Sequence, residues 1–364
     1  MEDERRYCSI CHCELDDDSD DYEVEGQQLC ENCFDEHTTT CDHCGEVIWA
    51  TDSICDDHTT LCTCCFDDHY RRCEGCGRIL HDDDVLWCND LPYCANCYDR
   101  LDTEIEEYGY KPDPIFYGKG SRFFGVELEV DCGGKDDENA HRIKAEANTR
   151  CENIYIKSDG SLDDGFEIVT HPMTLEYHMN DMYWEDVLHE AVRLGYKSHM
   201  TSTCGLHIHV NRDALGEDRE EQENVIAKIL FFVETHWNEM FAFSRRSAYS
   251  MNRWAARYGM EKTGKEILDK AKKGNTGRYA AVNLCPYMTI EFRLFRGTLK
   301  LNTLYATLQF VNRIINTALD FTEEEIAQQS WSDFVAGVTE PELLQYLKER
   351  RLYINEEVEQ EGEI

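Results

Sequence analysis

The feature of this sequence that most restricts its folding is a double cysteine pair that occurs three times near the N-terminus. Of the 20 cysteines, 16 lie within residues 1–97. In each unit two Cys-x2-Cys pairs are separated by 17 or 18 residues, and seven residues separate successive units. Because units of about 32 residues are too small to build stable cores alone, we expect a bound metal to supply their folding energy. The twelve paired cysteines are Cys8, Cys11, Cys30, Cys33, Cys41, Cys44, Cys62, Cys65, Cys73, Cys76, Cys94 and Cys97.

Four thiolates at this spacing predict one tetrahedral, structural Zn²⁺ site in each unit. The sequence contains no apolar run of about 18 residues and no apolar signal core at its start, so we expect a cytoplasmic protein that binds no membrane. Cytosolic thiols stay reduced, which favours zinc over a disulfide framework or redox chemistry. Other cysteines and histidines could each replace a predicted ligand: Cys13, Cys55, Cys64, Cys88, His12, His37, His43, His58 and His69.

Residues 1–104 are therefore interpreted as three tandem zinc modules, at about 8–37, 41–69 and 73–101. An aromatic and an acidic residue follow each closing pair, which predicts a short helix packed on a small hairpin. The units resemble LIM-type or treble-clef zinc modules. They differ from the LIM pattern because seven residues rather than two separate the last pair of one unit from the first pair of the next, and because every ligand is cysteine. Residues 1–110 contain 31 Asp and Glu against 6 Lys and Arg. The expected partner is thus a basic protein segment, with a solvated acidic spacer as the alternative.

A second domain is predicted after a linker at 105–120 that is rich in proline and glycine. Its first segment, residues 121–131, alternates apolar residues with Gly125, Glu127 and Glu129. Successive side chains of a strand point to opposite faces, so one face is apolar and the other carries carboxylates. The later segments CGLHIHV, RYAAVNL and TIEFRLF repeat this design between helical patterns. We predict an α+β domain over 121–352, with a largely antiparallel sheet covered by helices on one side, and an acidic tail at 353–364.

Three pairs of polar residues two positions apart mark the other face of this predicted sheet. Glu127 and Glu129 have a spacing that suits neighbouring hard cations, and the alternative is a solvent-facing charged strand. His207 and His209 indicate a metal or phosphate site, and the alternative is a pair of structural histidines. Glu291 and Arg293 place an acid for a metal beside a guanidinium for a phosphate, and the alternative is a cross-strand ion pair.

Single residues add to this set. The turn from Lys157 to Ser161 offers backbone N–H groups and hydroxyls that could face an oxyanion. Glu167 lies between apolar neighbours, so burial of its carboxylate would require a cation partner. Arg278 and Asn283 lie on the segment expected to pair with TIEFRLF. The basic run between residues 245 and 273 is either a solvated helix face or an electropositive rim that attracts a nucleotide. The formal net charge of −38 argues against nucleic-acid binding.

Six motifs of the second domain resemble, in their order, those of the amidoligase family, which is grouped with glutamine synthetase and glutamate–cysteine ligase. They are FFGVELEV, KSDGSL, FEIVTHP, GLHIHV, RYAAVNL and TIEFRLFRGT. The resemblance covers roughly residues 120–320 and leaves the zinc units outside. It implies a glutamine synthetase-like curved antiparallel sheet with ATP and Mg²⁺ on its concave face. It also implies ATP-dependent joining of a carboxylate to an amine through an acyl phosphate, with an amino acid, peptide or protein as substrate.

The same resemblance implies a role for each matching residue. The Mg²⁺ ligands would be Glu127, Glu129, Glu167, His207 and Glu291. The residues that contact ATP would be Lys157, Ser161, His209, Arg278 and Arg293. Asp159 would orient or deprotonate the amine, and Asn283 would position substrate. The full catalytic set is Glu127, Glu129, Asp159, Glu167, His207, His209, Arg278, Asn283, Glu291 and Arg293.

Two other functions remain open from the sequence. A metal-dependent hydrolase built on His207 and His209 would explain the HxH pair but would leave Arg278 and Arg293 without a role. A non-catalytic zinc-module adaptor would carry an inert C-terminal scaffold. The adaptor alternative predicts polar residues that never converge on one cavity.

Overall fold

The chain folds into two compact units, Met1–Asp102 and Thr103–Ile364. The structure, a computed structural model, describes residues 6–15, 22–88, 91–98, 103–274 and 277–353. The acidic tail predicted at 353–364 lies outside the described residues except for its first residue, as do residues 99–101 of the third predicted zinc module. Within the described ranges, no helix has the length and apolar character needed to cross a membrane.

The first unit consists of short hairpins and short helices. Its described residues form six two-stranded antiparallel sheets, in which β1 pairs with β2 and each later odd-numbered strand pairs with the next even-numbered one. The strands are β1 Arg6–Tyr7, β2 Glu14–Leu15, β3 Tyr22–Val24, β4 Gln27–Leu29, β5 Thr38–Thr40, β6 Val47–Trp49, β7 Ile54–Cys55, β8 Thr60–Leu61, β9 Tyr70–Arg72, β10 Ile79–His81, β11 Leu86–Cys88 and β12 Leu91–Tyr93. The helices are α1 Glu31–His37, α2 Thr63–His69 and α3 Ala95–Tyr98.

Each of these helices begins between the two cysteines of a closing pair, so the predicted short helix is present but carries only the second cysteine of the pair. In α2, Cys62 is the residue before the helix and its Sγ accepts a hydrogen bond from Cys65 N at 3.3 Å. The three small apolar clusters of the unit each contain buried cysteine, beside a few aliphatic residues such as Leu29 and Leu61. Cores this small supply little folding free energy, which is consistent with the prediction that each module needs a metal ion in order to fold.

The second unit is built on one seven-stranded sheet. Its order is β13-β15-β16-β14-β17-β19-β18, and all neighbours are antiparallel except β13 and β15. The strands are β13 Ile105–Glu106, β14 Phe124–Val130, β15 Ile154–Lys157, β16 Phe166–Thr170, β17 Gly205–Asn211, β18 Val282–Asn283 and β19 Thr289–Arg296. The helices are α4 Asp137–Ala147, α5 Leu175–Asn180, α6 Trp184–Arg193, α7 Arg219–Thr235, α8 Trp237–Ser244, α9 Ala248–Trp254, α10 Gly264–Lys273, α11 Leu301–Asp320, α12 Glu323–Gln328, α13 Trp331–Ala336 and α14 Pro341–Glu349.

The central strand β14 shows why the sheet has one apolar face. Its apolar residues, Val126 and Leu128 among them, are fully buried and share one core with residues of α4, α6, α7 and α11. The helices therefore cover the face that these residues occupy, as predicted, and the sheet is largely antiparallel, as predicted. The finer prediction of a glutamine synthetase-like curved sheet stays a prediction.

The segment 105–120, predicted as a linker, is instead part of the second unit. Ile105 and Glu106 form β13, which pairs with β15, and Tyr117 N donates to Pro172 O at 3.0 Å. Ile105 and Tyr117 both pack against the main core. The prolines and glycines of the segment do produce irregular backbone, but its apolar side chains have a core to contact and fix it there.

Two long stretches of the second unit are each divided into two helices. Helices α5 and α6 lie within residues 175–193, and helices α7 and α8 lie within residues 219–244 and meet at His236. Helix α13 begins with a capping box, in which the Ser330 and Asp333 side chains each accept a hydrogen bond from the other residue's backbone N–H. Helices α6 and α8 begin without a side-chain cap, so these two breaks depend on tertiary packing.

A buried histidine on α5 predicts a loss of stability in mild acid. His178 Nε2 donates to Phe124 O at 3.1 Å, and its Nδ1 accepts from Trp184 Nε1 at 3.2 Å, so the ring is neutral. Burial lowers the pKa of His178 from 6.5 to about 4. Because the unfolded state binds this proton first, stability is complete above about pH 6.5 and decreases as the pH falls towards 4.

We expect this residue to remove about 2 kcal/mol of unfolding free energy between pH 7 and pH 5. Urea denaturation at both pH values, in the wild type and in His178→Asn, measures the effect. The variant is expected to be less stable at pH 7 and to depend less on pH. An unchanged pH dependence in the variant would contradict the assignment.

Candidate active site

The strand register brings the predicted polar residues onto one face of the sheet of the second unit. On β14, Glu127 lies opposite His207 of β17, and Glu129 lies opposite Glu167 of β16. The same rows continue outwards: Lys157 is opposite Glu167, and Glu291 is opposite both His209 and Asn283. Side chains that are directly opposite on one face have Cβ atoms about 4.5–5.5 Å apart, so these groups must interact.

This face forms the floor of a cavity of about 1220 Å³. Such a volume exceeds that of ordinary small-ligand pockets, and it can hold a nucleotide together with a second substrate. All twelve residues predicted for catalysis or cofactor binding line it: Glu127, Glu129, Lys157, Asp159, Ser161, Glu167, His207, His209, Arg278, Asn283, Glu291 and Arg293. Their convergence is a structural fact, whereas the roles assigned to them stay predictions.

Two groups of three side chains within this set could each hold a metal ion. The first is Glu127, His207 and Glu291, and the second is Glu129, Glu167 and His207. In each group the three candidate donor atoms all lie within 4.8 Å of one another. His207 Nδ1 lies 3.3 Å from Glu127 Oε2 and 3.6 Å from Glu291 Oε1, and its Nε2 lies 4.0 Å from Glu129 Oε1. His207 is thus the shared member, with one ring nitrogen towards each group.

The carboxylates of these groups are in unequal electrostatic surroundings. Burial opposes ionisation of Glu127, but His209 and His207 outweigh it and hold its pKa well below the usual range. Burial raises the pKa of Glu167 well above normal, and the nearby Glu127 carboxylate adds to this effect. Lys157 Nζ lies 3.1 Å from Glu167 Oε2, and although burial opposes its charge, Glu167 and Glu127 raise its pKa. Carboxylates this close together and this deeply buried are stabilised either by cations between them or by a proton on one of them, and the raised pKa of Glu167 marks it as the carboxylate that would hold the proton.

His209 lies beside the first group without belonging to it. Its Nδ1 is 3.0 Å from Thr289 Oγ1, and its Nε2 is 3.2 Å from Glu127 Oε1. That Nε2 is buried and has no hydrogen bond within the described residues. Burial opposes protonation, but Glu127 raises the pKa of His209. The ring is therefore oriented by Thr289 and presents one nitrogen to the carboxylates.

Guanidinium groups complete the floor of the cavity. Arg293 Nη1 lies 2.5 Å from Glu291 Oε1, and Asn283 Nδ2 donates to Glu291 Oε2 at 2.6 Å. Arg246, which follows the left-handed residue that ends α8, donates through Nη2 to Arg293 O at 3.2 Å and through Nη1 to Ser250 Oγ at 3.1 Å. Burial lowers the pKa of Arg246 to about 10, which leaves it charged at neutral pH.

Gly205 is required for this close packing. Its N–H donates to Glu129, and a β-carbon there would lie 2.6 Å from Arg246 Nη2 and 2.7 Å from His207 Nε2. Any larger residue would displace at least one of these groups. The absence of a side chain at Gly205 therefore allows Arg246 and His207 to lie close together beside Glu129.

Asp159 and Ser161 of the predicted oxyanion turn and Arg278 also line the cavity, and none of them belongs to the two candidate metal groups. Asp159 is half-buried, and its Oδ1 accepts from Ser161 N at 2.7 Å, so this side chain stabilises the turn. Ser161 is exposed. Arg278 is also exposed, and its guanidinium donates to the hydroxyls of Tyr108 and Tyr279. These residues line the cavity but stand apart from the two carboxylate groups.

Several lining residues were not singled out by the sequence. Tyr108, Gly109 and Lys111 come from the segment predicted as a linker, and Arg246 was only one member of a long basic run. The signal that could have found Arg246 is its position directly after a helical pattern rich in apolar residues, where burial is expected. Arg253 was likewise one member of that basic run, and the others in this class are Lys135, Thr203, Trp254, Tyr279 and Pro286.

The donor set fits Mg²⁺. The two groups combine four carboxylates with one imidazole, and oxygen donors are those that Mg²⁺ prefers. The orphaned His209 Nε2 and the crowded carboxylates are the features expected where a cation belongs. No candidate metal group among the described residues contains both His207 and His209.

The cysteines of the first unit also gather in three groups. Two of them contain the predicted sets, Cys41, Cys44, Cys62 and Cys65, and Cys73, Cys76, Cys94 and Cys97. Their thiols lie within 4.8 Å of one another, and four thiols at this separation suit Zn²⁺. The residues present therefore fit the metal that the spacing predicts.

The first cysteine group differs from the prediction. It contains Cys8, Cys11, Cys13 and Cys30, so that Cys13 takes the place of the predicted ligand Cys33. Cys33 remains close to this group, since its thiol contacts those of Cys11, Cys30 and Cys8. Burial and these contacts raise the pKa of Cys33. Five thiols thus surround one position. Spacing alone did not show this because the left-handed backbone at His12 turns Cys13 back towards the first pair.

Metal content tests this arrangement. We expect three zinc ions per purified chain by elemental analysis, and two for Cys41→Ser, because one four-thiolate site is lost. Cys64→Ser, an exposed neighbour outside the three groups, is the matched control and should retain all three. Cys13→Ser and Cys33→Ser should each retain three ions, whereas the double variant should lose one. Full zinc content in Cys41→Ser would contradict the prediction.

Comparison with known proteins adds little. No protein-family model matches the sequence, and no curated protein matches it. Among solved structures, a bifunctional glutathione synthetase from Pasteurella multocida is similar, with 14% sequence identity and a TM-score of 0.36. The alignment covers 63% of this chain and 46% of that one, so the chain spans less than half of that enzyme's length. Similarity at this level does not establish a shared fold, and nothing about this chain's activity follows from it.

Proposed function

We propose that the second unit is an ATP-dependent carboxylate–amine ligase. The observation that carries the proposal is the floor of the cavity, where two candidate cation groups share His207 and are flanked by Arg246, Arg293 and Lys157. Phosphoryl transfer requires alternating negative and positive groups of this kind, since catalysis consists mainly of positioning and charge neutralisation. The resemblance of the strand motifs to the amidoligase family supports the same proposal.

The proposed reaction has two balanced steps. An oxygen of the substrate carboxylate attacks the terminal phosphorus of ATP, the bond to the bridging oxygen breaks, and ADP leaves. The amine nitrogen then attacks the carbonyl carbon of the acyl phosphate, forms the amide bond and expels inorganic phosphate. One proton leaves the nitrogen. The products are one amide, ADP and phosphate, and no oxidant or reductant is needed.

The residues of the floor would divide the binding work. Glu127, Glu129, Glu167, His207 and Glu291 would hold Mg²⁺, which when bound would neutralise phosphate charge and act as a Lewis acid. Arg293 and Arg246 would bind phosphoryl or carboxylate oxygens through their planar guanidinium groups. Lys157 would supply a point charge beside the buried Glu167. His209 would orient the phosphates from the side of Glu291.

Three further parts of the cavity would bind the amine and the rest of the substrate. Asp159 would orient or deprotonate the attacking nitrogen, with its turn fixed by the Ser161 N–H. Asn283 would position substrate through the hydrogen-bonding capacity that remains on its amide, whose Nδ2 donates to Glu291 and whose Oδ1 accepts from Cys285 N. The turn that contains Lys157 and Ser161 would offer its backbone N–H groups to an anion.

A metal-dependent hydrolase is the second candidate, and the geometry gives it less support. A hydrolase built on the HxH pair needs both imidazoles on one ion, and the candidate groups contain only His207. The adaptor alternative predicts polar residues that do not converge, whereas twelve of them line one cavity. We further propose that the acidic zinc unit binds a basic protein segment.

Isotope transfer provides the decisive experiment. The full-length protein is incubated with MgATP, a mixture of amines and a mixture of acids labelled with ¹⁸O in the carboxylate. A ligase that forms an acyl phosphate transfers one ¹⁸O into inorganic phosphate for each amide made. A hydrolase releases phosphate that takes its oxygen from water. If MgATP neither binds nor raises the melting temperature, the ligase proposal is wrong.

A further inference from the structure

One wall of the cavity carries an aromatic rim, defined here as Tyr108, Trp254, Arg278 and Tyr279. All four residues line the cavity. The Arg278 guanidinium lies 5.8 Å from the centre of the Tyr108 ring and 5.1 Å from that of Tyr279. The rings of Trp254 and Tyr279 meet edge to face with centres 5.4 Å apart. The rim therefore presents flat aromatic and guanidinium surfaces from three separate segments of chain.

The aromatic rim is continuous with the charged floor. Lys157 Nζ lies 5.8 Å from the centre of the Tyr108 ring, and the Arg293 guanidinium lies 6.0 Å from that of Tyr279. Both cations also contact floor carboxylates, Lys157 at Glu167 and Arg293 at Glu291. If the phosphates of a nucleotide occupied the floor, its sugar and base would thus lie next to the aromatic rim.

We infer that the aromatic rim binds the purine base of the nucleotide. This inference rests on the proposed function, which accounts for the phosphates but leaves the base without a site. Tyr108 is 47% exposed, so part of its ring surface is available to a ligand. Aromatic rings and guanidinium planes are the surfaces on which bases stack, and stacking needs little hydrogen bonding. The segment that supplies Tyr108 would then be part of the substrate site.

A purely structural role for the rim makes a different prediction. The hydroxyls of Tyr108 and Tyr279 accept hydrogen bonds from Arg278 and hold its guanidinium in place. If these tyrosines served only to hold Arg278, loss of their hydroxyls alone would weaken MgATP binding. If a base stacks on them, only loss of the rings would weaken it. Replacement of each tyrosine by Phe and by Ala therefore separates the two roles.

The test uses calorimetric titration of the full-length protein with two probes, MgATP and magnesium tripolyphosphate. The second probe has the phosphates without the base. In Tyr108→Ala and in Tyr279→Ala, we expect the dissociation constant for MgATP to rise by about 5- to 100-fold, and that for tripolyphosphate to change by less than about 2-fold. Tyr108→Phe and Tyr279→Phe should bind both probes nearly as the wild type does. Phe116→Ala removes a ring that is 57% exposed, comes from the same segment and does not line the cavity, so it should change neither constant.

The outcomes distinguish this inference from the proposed function. A wild-type protein that binds neither probe refutes the function and with it the inference. A wild-type protein that binds tripolyphosphate as tightly as MgATP refutes the inference alone. The inference is also wrong if the Ala variants weaken both probes equally, or if the Phe variants lose as much affinity for MgATP as the Ala variants do.

Discussion

Replacement of Glu127 by Gln is expected to reduce amide-bond formation by about 10²- to 10³-fold without unfolding the protein. The substitution keeps the size of the side chain and removes its charge. Glu127 lies between two imidazoles, with Oε2 3.3 Å from His207 Nδ1 and Oε1 3.2 Å from His209 Nε2. These histidines hold the pKa of Glu127 well below normal, so the side chain is a full anion in the wild type. A neutral amide would bind Mg²⁺ poorly and would leave the phosphates without their counter-ion.

The measurements are turnover at saturating substrate and the Mg²⁺ concentration that gives half-maximal rate. Loss of a metal ligand should raise this concentration as well as lower the rate, and excess Mg²⁺ should restore part of the activity. Glu146→Gln makes the same chemical change on an exposed position of α4 and should alter neither quantity. Normal turnover in Glu127→Gln, at an unchanged Mg²⁺ requirement, would show that the carboxylate has no part in the reaction.

The alternation of polar and apolar residues was the part of the sequence that predicted the site. Because side chains on a strand alternate between faces, Glu127 and Glu129 had to share a face once Val126 and Leu128 were buried. The same reasoning placed His207 and Glu291 on their strands. It could not give the order of the strands or their register, which depend on how distant segments pair. The structure supplies both and thereby places His207 between two carboxylate groups.

Other parts of the site have no periodic signal. Tyr108 lies in irregular backbone, and its place on the cavity wall follows from the pairing of β13 with β15. Cys13 joins the first cysteine group through a turn, and the spacing of the cysteines could name it as a possible replacement but could not select it over the other spare cysteines and histidines. Arg246 lies at a helix end where its burial depends on tertiary packing. Turns, helix ends and long-range contacts are decided by the folded structure as a whole, so the sequence predicted them least well.

Replacement of the buried Arg246 is expected to lower activity strongly without lowering stability. The residue is 7% exposed, lines the cavity and has no carboxylate within 4.0 Å among the described ranges of the chain, so the more distant Glu129 is the group that favours its charge. A buried charge without a close ionic partner costs folding free energy, and it persists where a ligand uses it. We therefore expect Arg246→Met to lower turnover by about 10²-fold or more, while the melting temperature stays the same or rises.

A second arginine of the same domain is expected to behave in the opposite way and serves as the matched control. Arg257 Nη2 lies 2.7 Å from Glu234 Oε2, Glu234 is buried, and Arg257 does not line the cavity. Arg257→Met should lower the unfolding free energy by about 1–2 kcal/mol, because the buried Glu234 carboxylate loses its cation and keeps only the backbone N–H groups of Tyr258 and Gly259. The variant should preserve turnover at temperatures where the protein is folded. If Arg246→Met instead loses stability and keeps turnover, Arg246 is a structural residue. In that case Arg246 would not bind the ligand, and binding of the phosphoryl group would depend on Arg293 and Lys157.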